Sequence, residues 1–179
     1  MINTETKFNT EGVNKMQQNE NVGLELTNIW TVTCLDSNGD EKWSETKKNI
    51  IVTEGLNHIL DTQFHAGTQV STWYIGLKGA GTPVGGDTLG SHSSWSEVTD
   101  YAGNRKEWTE GAAAAGSMTN ASSVDFSITG TATVAGAFLS SVATGTSGTL
   151  YGVVDFSSAR SVLSGDTLQV TVTVTAASS

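Results

Sequence analysis

The last 63 residues of the chain, 117–179, carry only four charged side chains, which are Asp125, Asp155, Arg160 and Asp166. The final run, 167–175, alternates apolar residues with Thr and Gln. Side chains of a β-strand point to opposite faces in turn, so one face of this strand is apolar and the other is covered mainly by hydroxyl groups. A third of the chain is therefore predicted to be sheet with almost no reactive chemistry, as in a scaffold or a binding surface.

The rest of the sequence predicts a mainly β fold, an antiparallel β-sandwich or barrel-like single domain over 23–179 with one short helix. Apolar residues alternate from Leu24 to Cys34. Asp36–Asp40 then reads as a hairpin turn, because its Asn-Gly pair supplies the positive φ values that tight hairpins need. The short strands that follow are separated by Gly, Ser and Thr, which is typical of an antiparallel sandwich or barrel rather than an α/β sheet. Irregular loops are expected over 79–110.

The one predicted helix covers about 54–65. Thr53 can cap its N-terminus, and Gly67 is a suitable residue to end it. Four residues recur at the spacing of a single apolar helix face. They are Leu56, Ile59, Leu60 and Phe64.

Charge and composition exclude several classes of partner. Asp and Glu number 18 against 9 Lys and Arg, which gives a net charge of −9. A protein of this sign repels phosphate backbones, so no nucleic-acid partner is expected. No run approaches the roughly 18 apolar residues of a membrane span, so no membrane partner is expected either. Cys34 is the only cysteine, and its place on an apolar strand face predicts a buried thiol.

Residues 1–22 are predicted to form an extended N-terminal arm. The segment is polar, and its apolar residues are spaced too irregularly for a core helix. We interpret it as an arm that lies over a neighbouring subunit, and a free tail is the alternative. Its candidate contact residues are Ile2, Phe8, Val13 and Met16.

Aromatic and acidic residues cluster between 95 and 110, the residue types that a carbohydrate site needs. Aromatic rings can bind a sugar, and glycosidases use two carboxylates that flank the scissile bond. The simpler interpretation is that the rings pack against the sheet while the acids face water. The candidate surface-recognition aromatics are Trp95, Tyr101 and Trp108. The accompanying carboxylates are Glu97, Asp100, Glu107 and Glu110.

No other combination of residues predicts catalysis, a cofactor or a metal. His58, Asp61 and His65 share a face of the predicted helix, but no second cluster of ligands accompanies them. Ser, His and Asp occur together in 87–92, without the Gly-x-Ser-x-Gly elbow of a hydrolase. The glycosylation sequon that begins at Asn120 is interpreted as a chance match. No catalytic residue, cofactor or metal ligand is therefore predicted.

Several short motifs follow one another in a familiar order. They are Asn49–Asn57 with the helix that follows, Thr72–Leu77, Trp95–Glu97, Tyr101, Arg105–Trp108, Ala135–Phe138, Gly148–Gly152, Phe156 and Ser164–Leu168. In order and spacing, the set resembles a widespread group of small tailed-phage virion proteins, over about 30–179. The resemblance implies a β-rich particle component, such as a capsid decoration or cement protein, and it brings no catalytic residues with it.

On this resemblance we expect a structural protein of a tailed-phage virion, made in the host bacterial cytoplasm and located on the capsid surface. Its expected partners are the major capsid protein and further copies of itself, in a homo-oligomer such as a trimer. The N-terminal arm would then supply contacts with the capsid or with a neighbouring subunit. The alternative is a tail-fibre or host-attachment module that binds carbohydrate, and an enzyme is the least favoured class.

Overall fold

Two antiparallel β-sheets packed face to face form residues 23–178, the part of the chain that the computed structural model describes. Over these residues the fold is mainly β with one helix, so the predicted β-sandwich class is confirmed. The elements are Leu24–Leu35 (β1), Glu41–Lys48 (β2), Ile50–Ile51 (β3), Thr53–Phe64 (α1), Tyr74–Lys78 (β4), Glu97–Val98 (β5), Lys106–Glu107 (β6), Ser117–Thr119 (β7), Val124–Ser127 (β8), Ala132–Ser140 (β9), Leu150–Val162 (β10) and Thr167–Ser178 (β11).

The first sheet is built on the pairing of the first and last long strands. β1 and β11 run antiparallel in unbroken register over twelve residue pairs. β2 pairs with the other edge of β1, and β7 and β8 both pair with the free edge of β11. The alternation predicted for the C-terminal run is confirmed, because Leu168, Val170 and Val172 are fully buried.

The turn predicted between the first two strands is confirmed at Asp36–Asp40. The Asp36 carboxylate accepts the N–H groups of Asn38 at 2.8 Å and Asp40 at 3.0 Å. Only Gly39 takes a positive φ, of 88°. The turn therefore needs one left-handed residue rather than the two of a two-residue Asn-Gly hairpin.

The second sheet has the strand order β3-β10-β9-β4-β5, with β6 also paired to β4. Its inner face packs on the first sheet, and residues such as Ile75 and Leu139 share one buried cluster with Trp30 and Cys34. Cys34 is fully buried, as predicted. Burial raises the pKa of its thiol to about 11, with the Asp166 carboxylate as a second cause. The thiol is therefore protonated at neutral pH.

A side chain completes the hydrogen bonding of β11 where its two short neighbours leave a gap. β7 pairs with 173–175 and β8 pairs with 167–170. Between them, Asn120 Oδ1 accepts the N–H of Val172 at 2.7 Å and Nδ2 donates to the carbonyl of Val170 at 3.1 Å. Asn120 is buried and acts as a side-chain extension of the sheet edge, so the acceptor side chain of the sequon is not at the surface.

The ends of α1 differ in detail from the prediction. The helix begins at Thr53, and the residue in the cap position is Val52, which makes no side-chain cap. Thr53 instead donates its backbone N–H to Gly85 O at 2.8 Å. After the helix, Ala66 takes the left-handed conformation with φ of 56°, whereas Gly67 was predicted to end the helix. The residues predicted to cap the N-terminus and to end the helix are therefore each one position later than the observed ones.

Gly55 determines which side of α1 packs on the domain. It is the only buried residue of the helix, and a Cβ at this position would lie 2.2 Å from the carbonyl oxygen of Tyr151. Beside it, Glu54 Oε2 accepts the N–H groups of Leu89 at 3.0 Å and Leu150 at 2.6 Å. The helix thus approaches β10 backbone to backbone, which only a glycine permits.

Gly55→Ala is expected to lower the free energy of unfolding by about 1–3 kcal/mol, because the added methyl group must push α1 away from β10. This loss should outweigh the better helix propensity of Ala, which contributes about 1 kcal/mol. Chemical denaturation monitored by circular dichroism measures the change. Gly86→Ala is the matched control, since a Cβ there would meet no atom within 4 Å. A Gly55→Ala protein as stable as the control would contradict the close approach.

The outer face of the second sheet is covered by the irregular segment 79–96. Phe138 alternates along β9 with residues that face the first sheet, so its ring lies on the opposite, outer face. It belongs to a second buried cluster there, together with Leu89 and Trp95 of the irregular segment. A Cβ at Gly76 would lie 2.3 Å from Phe138 Cζ, so this glycine provides the space for the ring.

Candidate functional site

The structure places the three aromatic residues predicted for surface recognition in the interior. Trp95, Tyr101 and Trp108 are 5%, 5% and 4% exposed, respectively. Trp95 lies in the outer cluster of the second sheet, whereas Tyr101 and Trp108 belong to the core between the sheets. This burial corrects the prediction that the rings form an exposed recognition surface. It agrees with the alternative that they pack against the sheets.

The indole nitrogens of the two tryptophans also face inward. Trp95 Nε1 donates to the Asp87 carboxylate at 2.9 Å, and Trp108 Nε1 donates to Asn120 Oδ1 at 3.3 Å. Burial raises the pKa of the Tyr101 hydroxyl to about 12. The three rings are therefore an integral part of the buried interior, although the sequence pattern around them is irregular.

The four carboxylates of the same region have different environments. Glu97 forms a bidentate ion pair with the buried Arg105, with distances of 2.8 Å from Nε to Oε1 and 2.7 Å from Nη2 to Oε2. Asp100, Glu107 and Glu110 are exposed. The bidentate guanidinium fixes the orientation of the Glu97 carboxylate, which indicates a structural role for this pair.

The three potential metal ligands on α1 do not form a common site. His65 Nδ1 lies 3.5 Å from Asp61 Oδ1, and both side chains are exposed. His58 instead packs edge to face on Trp73, with 5.5 Å between ring centroids. Among residues 23–178, no group of three or more His, Cys, Asp and Glu side chains could hold a metal ion.

The most unusual surface of the described domain is a stripe of large apolar side chains on α1. Leu56, Leu60 and Phe64 are 41%, 55% and 84% exposed, and their spacing of four places them along one side of the helix. We call these three residues the helix face. An amphipathic helix normally buries its apolar stripe against its own domain. Contiguous exposed apolar residues mark sites of interaction.

The orientation of α1 was not predicted from the sequence. Of the four residues predicted to share one apolar face, Ile59 packs against the core, whereas the other three are exposed. The backbone contact of Gly55 and the two hydrogen bonds of Glu54 hold the opposite side of the helix against the sheet. A glycine early in an otherwise regular helix was the available signal, since it often marks a close approach.

A groove lies beside the helix, between α1 and one end of the sandwich. We call it the mouth groove, and its volume is about 190 Å³. An apolar cavity of about 150 Å³ can hold a benzene ring, so the mouth groove has room for one large side chain. Its walls include His58 and Ile59 from the helix, Trp73 and Tyr151 from the second sheet side, and Val174 from β11.

The candidate contact residues of the N-terminal arm lie outside the described residues. The structure describes the chain from Gly23 onward, so the positions of Ile2, Phe8, Val13 and Met16 stay predictions. The point at which the arm joins the domain is described, because β1 begins at Leu24 opposite Ser178. This attachment point is at the end of the sandwich that carries the mouth groove, since Val174 of the groove pairs with Asn28.

Comparisons with known proteins add no assignment to this geometry. Within 23–178, the helix that is present is too short and too polar to cross a membrane. A scan against protein-family models gave no match. A search of curated proteins gave no significant match either. The resemblance to tailed-phage virion proteins therefore stays a prediction.

Proposed function

We propose that the protein is a structural component of a tailed-phage virion, most specifically a capsid decoration or cement protein on the outer surface of the head. The helix face is the observation that carries this proposal. Three large apolar side chains exposed on a well-packed sandwich suit a protein whose work is to make contacts.

The paired charges of the interior support the same role. Lys78 Nζ lies 2.6 Å from Asp155 Oδ1, and Arg105 is bound by Glu97. In each pair a buried cation is bound by a partly exposed carboxylate, and Glu97 and Arg105 also line a surface pocket of about 220 Å³. Buried charges of this kind fix the arrangement of strands and loops. A rigid platform with an apolar contact stripe is a suitable design for a cement protein.

A cement protein acts through mass action. If it binds only the assembled shell, its binding free energy adds to the stability of that shell. Each copy contributes little alone, so the effect depends on many copies at equivalent sites. The oligomer expected from the sequence would strengthen binding further, because several weak contacts act together.

The test is binding to expanded capsids that lack the protein. We expect saturation at a simple ratio to the coat protein, amounting to hundreds of copies per particle, measured by sedimentation and quantitative mass spectrometry. Unexpanded shells of the same coat protein are the matched control and should bind less. Absence of binding, or saturation at a dozen copies or fewer, would contradict the decoration role and indicate a vertex or tail component.

The alternative, a host-attachment module that binds carbohydrate, has less support. The platform predicted for it consists of Trp95, Tyr101 and Trp108, and these rings are buried. Replacing them would disturb the core before it affected any glycan. The decoration role therefore remains the preferred proposal.

A further inference from the structure

We propose that the helix face is the docking site for the N-terminal segment, Met1–Val22, of a second copy of the chain. The proposal deepens the proposed function, on which its role in a particle rests, by naming the surface through which copies join. Binding of this segment to the helix face can be tested on the purified protein without a capsid.

The helix face is exposed although its side chains are apolar. Phe64 is 84% exposed and Leu60 is 55% exposed on a helix whose other side packs on β10. These side chains lie four residues apart, so they form one continuous stripe. An extended apolar segment or a helix could cover such a stripe, in the manner of the peptide-binding grooves of other proteins.

The N-terminal segment joins the domain at the end of the first sheet. Leu24–Thr27 pairs with Thr175–Ser178 at the end of the first sheet. Leu24 is 72% exposed, and Asn28 is the first buried residue along β1. These paired ends therefore project beyond the core, and the segment before Gly23 joins the domain at their tip.

The helix face and the mouth groove lie on different sides of α1. His58, Ile59 and Thr62 line the mouth groove, which also contains Val174 near the projecting strands. A helix turns by about 100° per residue, so Phe64 points away from this groove. The helix face therefore lies on the side of α1 away from the strand ends to which the segment of the same copy is attached. A neighbouring copy can offer its helix face directly.

The length and the charge of the N-terminal segment allow it to bind the helix face of a second copy. We call this arrangement segment exchange. The 22 residues before Gly23 span at most about 75 Å when extended, whereas a domain of this size is about 40 Å across. The segment has three glutamates and two lysines, so it carries a net charge of −1 out of −9 for the chain. Because the segment carries so little of the negative charge, electrostatic repulsion hardly opposes its binding to another copy. Its apolar contact residues would be Ile2, Phe8, Val13 and Met16.

The first test compares self-association of four proteins by sedimentation equilibrium. We expect the full chain to associate, and both deletion of Met1–Val22 and Phe64→Glu to weaken association by about 30-fold or more, as for a central interface residue. Leu163→Glu is the matched control, because Leu163 is 50% exposed but lies between β10 and β11. A monomeric full chain, or a Phe64→Glu protein that associates as the control does, would overturn the proposal.

The second test identifies which copy supplies the segment. Chains that carry Met16→Cys are mixed with chains that carry Phe64→Cys, under mild oxidation. The natural Cys34 is fully buried and does not compete. We expect disulfides between the two kinds of chain, and none when Ser158→Cys, at an exposed position on β10, replaces Phe64→Cys. Cross-linking only within a chain that carries both cysteines would overturn the proposal.

Measurements of folding and of capsid binding distinguish a failure of the segment exchange from a failure of the decoration role. Phe64 is largely exposed, so Phe64→Glu should keep the circular dichroism spectrum and thermal midpoint of the full chain. If the full chain is monomeric but still saturates expanded capsids, the segment exchange is contradicted and the decoration role is supported. If the chain exchanges its segment but does not bind capsids, the decoration role is contradicted and the segment exchange is supported.

Discussion

Asp155→Ala is expected to lower the free energy of unfolding by about 3–5 kcal/mol, because it leaves a buried ammonium group without its counter-ion. Lys78 is 0% exposed, and its Nζ lies 2.6 Å from Asp155 Oδ1 in an ion pair. The same Nζ donates to the carbonyl oxygens of Gly79, at 3.1 Å, and Gly81. These carbonyls solvate the charge but do not neutralise it.

The position of this ion pair follows from the strand register. Gly136 of β9 lies opposite both Lys78 and Asp155. A Cβ at Gly136 would lie 2.0 Å from the carbonyl oxygen of Val154, so this glycine lets β9 and β10 approach closely beside the ion pair. The ion pair thus ties together three strands of the second sheet, with the irregular segment above it supplying two carbonyl groups.

Equilibrium denaturation in urea measures the effect of Asp155→Ala. Asp125→Ala is the matched control, since Asp125 is an exposed carboxylate on β8 and its loss should change stability by at most about 0.5 kcal/mol. Lys78→Met should cost less than Asp155→Ala, because Asp155 is 37% exposed and water can hydrate it. A loss below about 1 kcal/mol for Asp155→Ala would show that the buried amine does not depend on its partner.

Asn120→Ala is expected to cost about 3–5 kcal/mol, because an unsatisfied buried polar group costs about 1–3 kcal/mol and this change leaves several. The N–H of Val172 and the Nε1–H of Trp108 both lose their acceptor, and the carbonyl of Val170 loses a donor. Water cannot easily replace the side chain, since Asn120 is 6% exposed.

Native-state hydrogen exchange reports this change at one residue. Protection of the Val172 amide should fall in the Asn120→Ala protein, while amides in the β1–β11 ladder fall only with global stability. Thr119→Ala is the control, because it removes one exposed hydrogen bond, to Thr173 at 3.1 Å. An unchanged Val172 amide would mean that Asn120 does not complete the sheet edge.

Local patterns in the sequence were sufficient for the fold class. The alternation in 167–175 depends only on which neighbours are apolar, and a strand converts that order directly into a buried and an open face. The turn at Asp36–Asp40 was predictable for the same reason, since its hydrogen bonds connect residues at most four positions apart. The helix was also found, with its bounds displaced by one residue.

The candidate site was much less predictable. Trp95 and Trp108 lie in an irregular stretch, where neither a helical nor a strand period indicates burial. Their environment depends on distant partners, such as Phe138 for one ring and Asn120 for the other. The pairing of Lys78 with Asp155 joins residues 77 positions apart, and the sequence contains no local sign of it.

The sequence by itself therefore determined the sandwich, the single helix and the low charge of the C-terminal third, because each is a property of neighbouring residues. Only the tertiary structure decided which surface is left for contacts. Gly55 and Glu54 hold one side of α1 against the second sheet, and that long-range contact turns Leu56, Leu60 and Phe64 toward solvent. The periodicity is the same whether an apolar stripe faces in or out, and packing between distant segments makes the choice.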